Sequence, residues 1–171
     1  MNNKVLVAYA SKYGATKEIA EKIGWVLKDA GFTTEVLPAD RVTDLAPYGA
    51  VILGSAVYIG GWRKQAAGFL KANEKALAEK MVWLFSSGPT GPGDPVELVK
   101  GWRFPKALQH SADRVKPNDI VLFQGAAFPE KLSAINRWMM RKVKAPLGDF
   151  RDWNAITVWA GKIAAKLKGS S

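Results

Sequence analysis

The segment Ser11-Lys12-Tyr13-Gly14-Ala15-Thr16 sets two hydroxyls about a glycine, between an apolar run and a helical period. Backbone N–H groups at a helix start have no partner inside the helix and carry the positive end of its dipole. Such a loop, with the hydroxyls of Ser11 and Thr16, is a cradle for a phosphate group. The same residues also suit an ordinary capped turn from strand to helix. A second candidate is Ser55-Ala56-Val57-Tyr58-Ile59-Gly60-Gly61-Trp62. Tyr58 and Trp62 can stack on a flat ring, and the glycines let the backbone approach it. Both aromatics can equally pack the edge of a sheet. A third loop, Ser87-Gly88-Pro89-Thr90-Gly91, can set backbone amides against the polar edge of the same ring.

Other chemistries do not fit. A Walker loop ends in Gly-Lys-Ser/Thr, and Lys17 stands in the wrong place for it. There is no G-x-G-x-x-G, which argues against a classical NAD site. The first apolar run ends without the carboxylates that a phospho-acceptor receiver domain uses to hold Mg²⁺. The chain has no cysteine and a single histidine, His110. Disulfides, thiolate catalysis, iron–sulfur ligation and a His-based metal cluster are thereby excluded. His110 reads as a solvent-facing helix residue, and no catalytic acid or base stands out.

The elements that must position these loops follow from periodicity. Residues 4–10, 32–37, 51–54, 81–85 and 120–124 are short apolar runs rich in β-formers. Between them Ile19, Ala20, Ile23, Val26, Leu27 and Ala30 recur at helical spacing, and Gly31 caps that helix. Ala66, Phe69, Leu70 and Leu77 mark a second helix, and residues 105–113 hold another. Leu132, Ile135, Met139 and Val143 mark the next, with Met139 and Val143 on its core stripe. Asp152 is the N-cap of a last helix whose inner face is Trp153, Ile156, Ala160, Ile163 and Leu167. Strands that are apolar throughout are covered on both faces. The pattern predicts an α/β three-layer sandwich, a five-stranded parallel sheet in the order 2-1-3-4-5 with helices on both faces. In such a sheet the ligand lies beyond the carboxyl ends of the strands, where the order reverses. All three candidate loops emerge there. Residues 86–119 interrupt the rhythm, as functional excursions do.

Composition sets the frame. With 171 residues, 48% hydrophobic and 23% charged, the chain reads as one globular domain, residues 1–171. No apolar run reaches the ~18 residues of a membrane span. The N-terminus reads as a first strand rather than a signal peptide, so a cytoplasmic location is expected. The formal net charge of +10 favours anionic partners, or is simply a solvated basic surface. No groove-reading motif accompanies it, so nucleic acid is not expected.

Residues 9–20 (YASKYGATKEIA) resemble the phosphate loop of flavodoxins, [ST]-x-x-G-x-T. Within that superfamily the chain is most similar to the quinone-dependent protoporphyrinogen oxidase-like branch. The supporting stretches are residues 54–62 (GSAVYIGGW), 125–129 (GAAFP) and 149–153 (DFRDW). The resemblance spans nearly the whole chain and implies a flavodoxin-like fold with non-covalent FMN. It implies that Ser11, Lys12, Tyr13, Gly14, Ala15 and Thr16 bind the FMN phosphate. It implies that Ser55, Ala56, Val57, Tyr58, Ile59, Gly60 and Trp62 flank the isoalloxazine, with the Gly60 region near N5. Ser87, Gly88, Pro89, Thr90 and Gly91 would face its pyrimidine side. The implied activity removes hydrogen from a flat anionic substrate, a protoporphyrinogen, and passes electrons to a quinone. The second expectation is a flavodoxin-type carrier between protein partners, which the basic charge disfavours because typical carriers are acidic.

Two clusters bear on partners. Trp138, Met139 and Met140 sit among Arg137, Arg141, Lys142 and Lys144, a composition suited to an anionic membrane surface. Arg63, Lys64, Lys100, Arg103 and Lys106 fall near the sheet's ligand edge and can receive carboxylates, with Trp102 and Phe104 as apolar walls. Both clusters also read as ordinary solvated faces.

Overall fold

The computed structural model describes residues 2–170. The central strand β1 (Lys4–Ala10) is buried from Val5 to Ala10, and its β-formers pack on both faces. Helix α1 (Ala15–Asp29) follows, ended by Gly31 at φ +100°. Strand β2 (Thr33–Pro38) runs parallel to β1 at one edge. Strand β3 (Ala50–Tyr58) pairs with the other side of β1 and folds back into β4 (Gly61–Trp62). The predicted second helix is two, α2 (Lys64–Ala72) and α3 (Glu74–Ala78), because Asn73 leaves helical geometry between them. Strand β5 (Met81–Ser87) pairs with β3.

The excursion after β5 carries the short helix α4 (Pro95–Leu98), capped by Asp94, and then α5 (Gln109–Val115). Strand β6 (Asp119–Phe123) closes the sheet beside β5. A second excursion holds β7 (Ala126–Ala127), helix α6 (Ala134–Lys142) and β8 (Gly148–Asp149), with β7 and β8 antiparallel. Helix α7 (Trp153–Gly169) ends the fold, and the Asp152 carboxylate accepts from the Ala155 N–H at 2.9 Å.

The sheet order is β2-β1-β3-β5-β6, with β4 paired to β3. Among the parallel strands this is the expected 2-1-3-4-5. Helices α1 and α7 cover one face, where Ile19, Ile23, Ile156 and Ile163 pack on Val5, Val7, Ile52 and Phe85. Phe69, Leu70, Leu77 and Val115 cover the other, over Leu6, Val51, Leu53 and Leu84. Each such fully buried side chain contributes about 1.5–3 kcal/mol. Trp153, predicted on the inner face of α7, is 36% exposed because it lies in the first turn, where the Arg151 guanidinium sits 4.7 Å from its ring.

Candidate functional site

The turn from β1 to α1 is built around Gly14, whose φ of +93° is left-handed. Nothing lies within 4 Å of where a Cβ would stand there, so the backbone and not the packing requires glycine. The Gly14 N–H donates to Ser11 Oγ at 3.0 Å, and the first helical bond runs from Glu18 N–H to the Gly14 carbonyl. The amides of Lys12, Tyr13, Ala15, Thr16 and Lys17 therefore find no acceptor among the described residues. Free N–H groups in the turn and at the helix start that follows it make an anion cradle.

The second loop is a hairpin. Val57 pairs with Trp62 and Tyr58 with Gly61, leaving Ile59 and Gly60 as a two-residue turn. Both have positive φ, +50° and +70°, as a type I′ turn demands. Ile59 is also 90% exposed. Behind the turn the fully buried Ser55 hydroxyl donates to the Ala56 carbonyl at 2.8 Å and accepts from the Arg63 N–H at 3.0 Å. The Trp62 indole is buried, donates to Ser86 Oγ at 2.8 Å and meets Phe104 edge-on. Trp62 thus packs the sheet edge and does not face the cleft, whereas Tyr58 does. Burial pushes the Tyr58 phenol up, with Tyr13 adding and Arg63 opposing.

The third loop is pinned from below. The Gln124 amide donates to the carbonyls of Gly91 and Gly93 at 2.6 and 2.9 Å. A Cβ on Gly125 would stand 2.9 Å from the Gly88 carbonyl oxygen, so the two backbones meet only because position 125 is glycine.

The three loops converge on a cleft of about 460 Å³, within the usual range for a small-molecule site. Ser11, Tyr13, Ala15, Thr16, Ala56, Val57, Tyr58, Ile59, Ser87, Gly88 and Thr90 line it. Lys12 and Gly14 face a neighbouring hollow instead. Ser55, Gly60, Trp62, Pro89 and Gly91 are not in its wall and act as supports.

The cleft has a roof that periodicity did not reveal. Leu132, Asn136, Met139, Met140 and Val143, with Gly125, Ala126 and Ala127, complete the wall. Met139 and Val143 were expected in the core. Instead α6 has no buried residue and Val143 is 72% exposed, because the helix lies over the cleft and not on the sheet. The signal lay in the composition: Trp138, Met139 and Met140 among four cations cannot cover a sheet face. Asn136 and, at 3.5 Å, the Ser133 N–H donate to the Tyr13 hydroxyl, tying α6 to the anion cradle. Burial pushes the Tyr13 phenol up, but hydrogen bonds from Ser133, Asn136 and Lys12 outweigh it and leave it below its ordinary value.

Of the predicted carboxylate receivers, Arg63 and Lys64 join Lys12 around a second hollow of about 380 Å³. It shares Tyr58, Ile59, Asn136 and Met139 with the cleft. Lys100, Arg103 and Lys106 are not in its wall, and Phe104 packs on Trp62. Among the described residues no helix is long and apolar enough to cross a membrane.

A cradle for one phosphate, an apolar slot beside it and amides at the far rim fit a phosphorylated flat ring such as FMN. No curated protein matches the chain. Its fold is similar to rubredoxin:oxygen oxidoreductase from Desulfovibrio gigas, with a TM-score of 0.66 at 18% identity. That match covers 98% of this chain but 36% of the other, so the chain spans about a third of its length. A flavodoxin from Archaea matches with a TM-score of 0.61 at 16% identity, covering 96% of this chain and 99% of the other. A flavodoxin, WrbA-like protein from Agrobacterium tumefaciens matches at 0.57 and 17%, covering 98% and 99%. At these identities the likeness establishes the fold. The family itself comes from the sequence: residues 6–154 match the flavodoxin domain model, so this chain belongs to the flavodoxin family, as an FMN-binding redox protein.

Proposed function

We propose that this chain is an FMN-dependent oxidoreductase similar to the quinone-dependent protoporphyrinogen oxidase-like branch, built as one domain over residues 1–171. Ser11–Thr16 hold the FMN phosphate with their free amides and hydroxyls. Ala56–Ile59 flank the isoalloxazine, and Ser87, Gly88 and Thr90 meet its pyrimidine side, with Gly60, Pro89 and Gly91 supporting them. Ser55 and Trp62 hold the hairpin from behind. When bound, FMN supplies the hydride and electron transfer from a flat anionic substrate to a quinone. The chain binds, orients and excludes water, and Leu132, Met139 and Met140 form the apolar roof that does the last of these.

One observation carries the enzyme over the electron carrier: the cationic hollow that opens off the cleft. Lys12, Arg63 and Lys64 stand there around the apolar Ile59 and Met139, a surface for a flat body bearing carboxylates. A protein-to-protein carrier needs no such chamber. The test is turnover of a porphyrinogen by the FMN-loaded protein, with a quinone as acceptor. Turnover that falls at least tenfold in Arg63→Glu supports the proposal. Oxidation of no small molecule, with electrons still exchanged with protein partners, leaves the carrier.

The outer side of α6 supports peripheral contact with an anionic membrane at its cytoplasmic face, where a lipid quinone is reached. Ile135 and Trp138 are 71% and 58% exposed there, beside Arg137, Arg141 and Lys142.

A further inference from the structure

Residues 128–147, which carry α6 between β7 and β8, have little to hold them in place. None of them is buried. Among the described residues no ion pair joins them to the rest of the chain. Their hydrogen bonds stay within the segment except for two. Both of those reach the Tyr13 hydroxyl, one from the Ser133 N–H at 3.5 Å and one from the Asn136 amide, in the first turn of α6. The stem is firmer. Ala126 and Ala127 pair with Asp149 and Gly148, and the Phe150 N–H donates to the Gly125 carbonyl at 3.1 Å. Arg151 ties that stem to the first turn of α1. Between helix and stem the backbone turns at Lys144, φ +56°, and at Gly148, φ +129°.

A segment so held opens at small cost, because local opening is limited by the buried contacts and hydrogen bonds that it breaks. Here those are the two bonds to Tyr13 and the underside of the helix. Leu132, Met139 and Met140 are half-buried and face the cleft, not the sheet. The apolar area that they bury is therefore set by what lies in the cleft, and a flat ring gives them a surface to pack on. Tyr13 stands in the turn whose amides form the anion cradle, so the same turn that holds a phosphate also holds the start of α6. We propose that residues 128–147 are a lid that closes on the flavin, hinged at β7 and β8 and latched by Asn136 through Tyr13. Flavin uptake and roof closure are then one cooperative event, with Asn136 as a positioning residue for the site. The cofactor leaves only when the latch opens, so lid opening sets its dissociation rate. The placement of the flavin under α6 rests on the proposed function; the weak hold on the segment does not.

The experiment is hydrogen exchange, read by mass spectrometry on the whole chain with and without FMN. FMN is expected to slow exchange of the α6 amides at least tenfold relative to those of α5, which does not line the cleft. With FMN bound, Asn136→Ala is expected to speed exchange in α6 at least fivefold and to raise the FMN dissociation rate at least fivefold, with the association rate kept within twofold. Tyr13→Phe removes the same latch from the other side. The double variant should therefore lose no more than the worse of the two single ones. An α6 equally protected without FMN would overturn the lid and leave a fixed roof. Losses that add in the double variant would overturn the latch, since Asn136 and Tyr13 would then act on the flavin separately. A chain that takes up no FMN, seen in its absorption spectrum before any exchange is measured, would overturn the placement of the flavin and the lid with it. FMN uptake that leaves α6 exchange unmoved would overturn the lid alone.

Discussion

Three residues at the ligand edge are held by different physics, and substitution separates them. Gly14 is needed for its φ of +93°, with open space around the missing side chain. Gly14→Ala is expected to cost about 1–2 kcal/mol of stability and to misdirect the cradle amides. Its FMN affinity, read from quenching of flavin fluorescence, should fall at least tenfold. Gly54 is needed for space: a Cβ there would stand 2.0 Å from the Phe85 ring. Gly54→Ala should lower the urea midpoint by the equivalent of about 1–3 kcal/mol, as overpacking does. Ile59 is the reverse case, a β-branched residue at φ +50° with 90% of its surface exposed. Such backbone is strained for isoleucine and easy for asparagine. Ile59→Asn is expected to raise stability by about 1 kcal/mol in the same urea series. A wild-type chain that keeps the costlier residue at the mouth of the cleft implies a use for its apolar side chain there. Ile59→Asn no more stable than wild type would remove that implication.

At the scale of elements, the excursion from Gln124 to Asp152 decides whether the cleft is roofed. Its base is clamped by Arg151, whose guanidinium meets Asp149 at 2.7 Å, Glu18 at 2.5 Å and the Ala15 carbonyl at 3.2 Å. One side chain thus joins β8 to the first turn of α1. Hydrogen bonding to Arg151 holds the Asp149 carboxyl below its ordinary value, against a smaller opposing effect of burial. A depressed pKa in the folded state gives stability that is complete above the unfolded value, about 3.9, and is lost as pH falls through the folded one. Wild type should therefore lose its advantage over Asp149→Asn in acid below about pH 4 and keep it unchanged from there to neutrality. A difference that stays flat through the acid range would show that the clamp does not depend on the charge. Tyr13 ties the other end, and Tyr13→Phe should speed hydrogen exchange across α6 while leaving α7 protected. The five parallel strands and their flanking helices were legible because both faces of each strand are apolar, so a single period gave the fold. The turn from β1 to α1 was legible because a glycine stands where an apolar run gives way to a helical period. Trp62 and the roof were not: an aromatic at a strand end looks the same whether it faces ligand or core. The period of α6 says which residues share a face but not what that face covers.

Charge distribution is a property of the whole molecule and sets the conditions under which it meets anything. With a formal net charge of +10, the chain is drawn to anionic surfaces over about a Debye length, ~10 Å at 0.1 M salt. The sheet's two apolar cores are closed by α1 and α7 on one side and by α2, α3 and α5 on the other, so neither offers an apolar docking face. The exposed apolar side chains of α6 differ, because Ile135 and Trp138 stand out from the same edge that carries the cleft. Attraction by charge and insertion by apolar side chains make separable contributions to membrane binding. Vesicles with a third of their lipid anionic should retain the protein at about 0.05 M salt and release most of it by about 0.5 M. Neutral vesicles should retain little at either. Trp138→Ser should weaken the low-salt binding several-fold without changing its dependence on salt, since it removes insertion and leaves the charge. Equal binding by the variant would mean that the basic surface acts alone and that α6 serves only as the roof of the cleft. Loss of both the binding and its salt dependence would instead point to a disturbed fold, which the flavin spectrum of the same sample reports. Weakened binding with an intact flavin spectrum places the open edge of the sheet, and with it the mouth of the cleft, against the membrane.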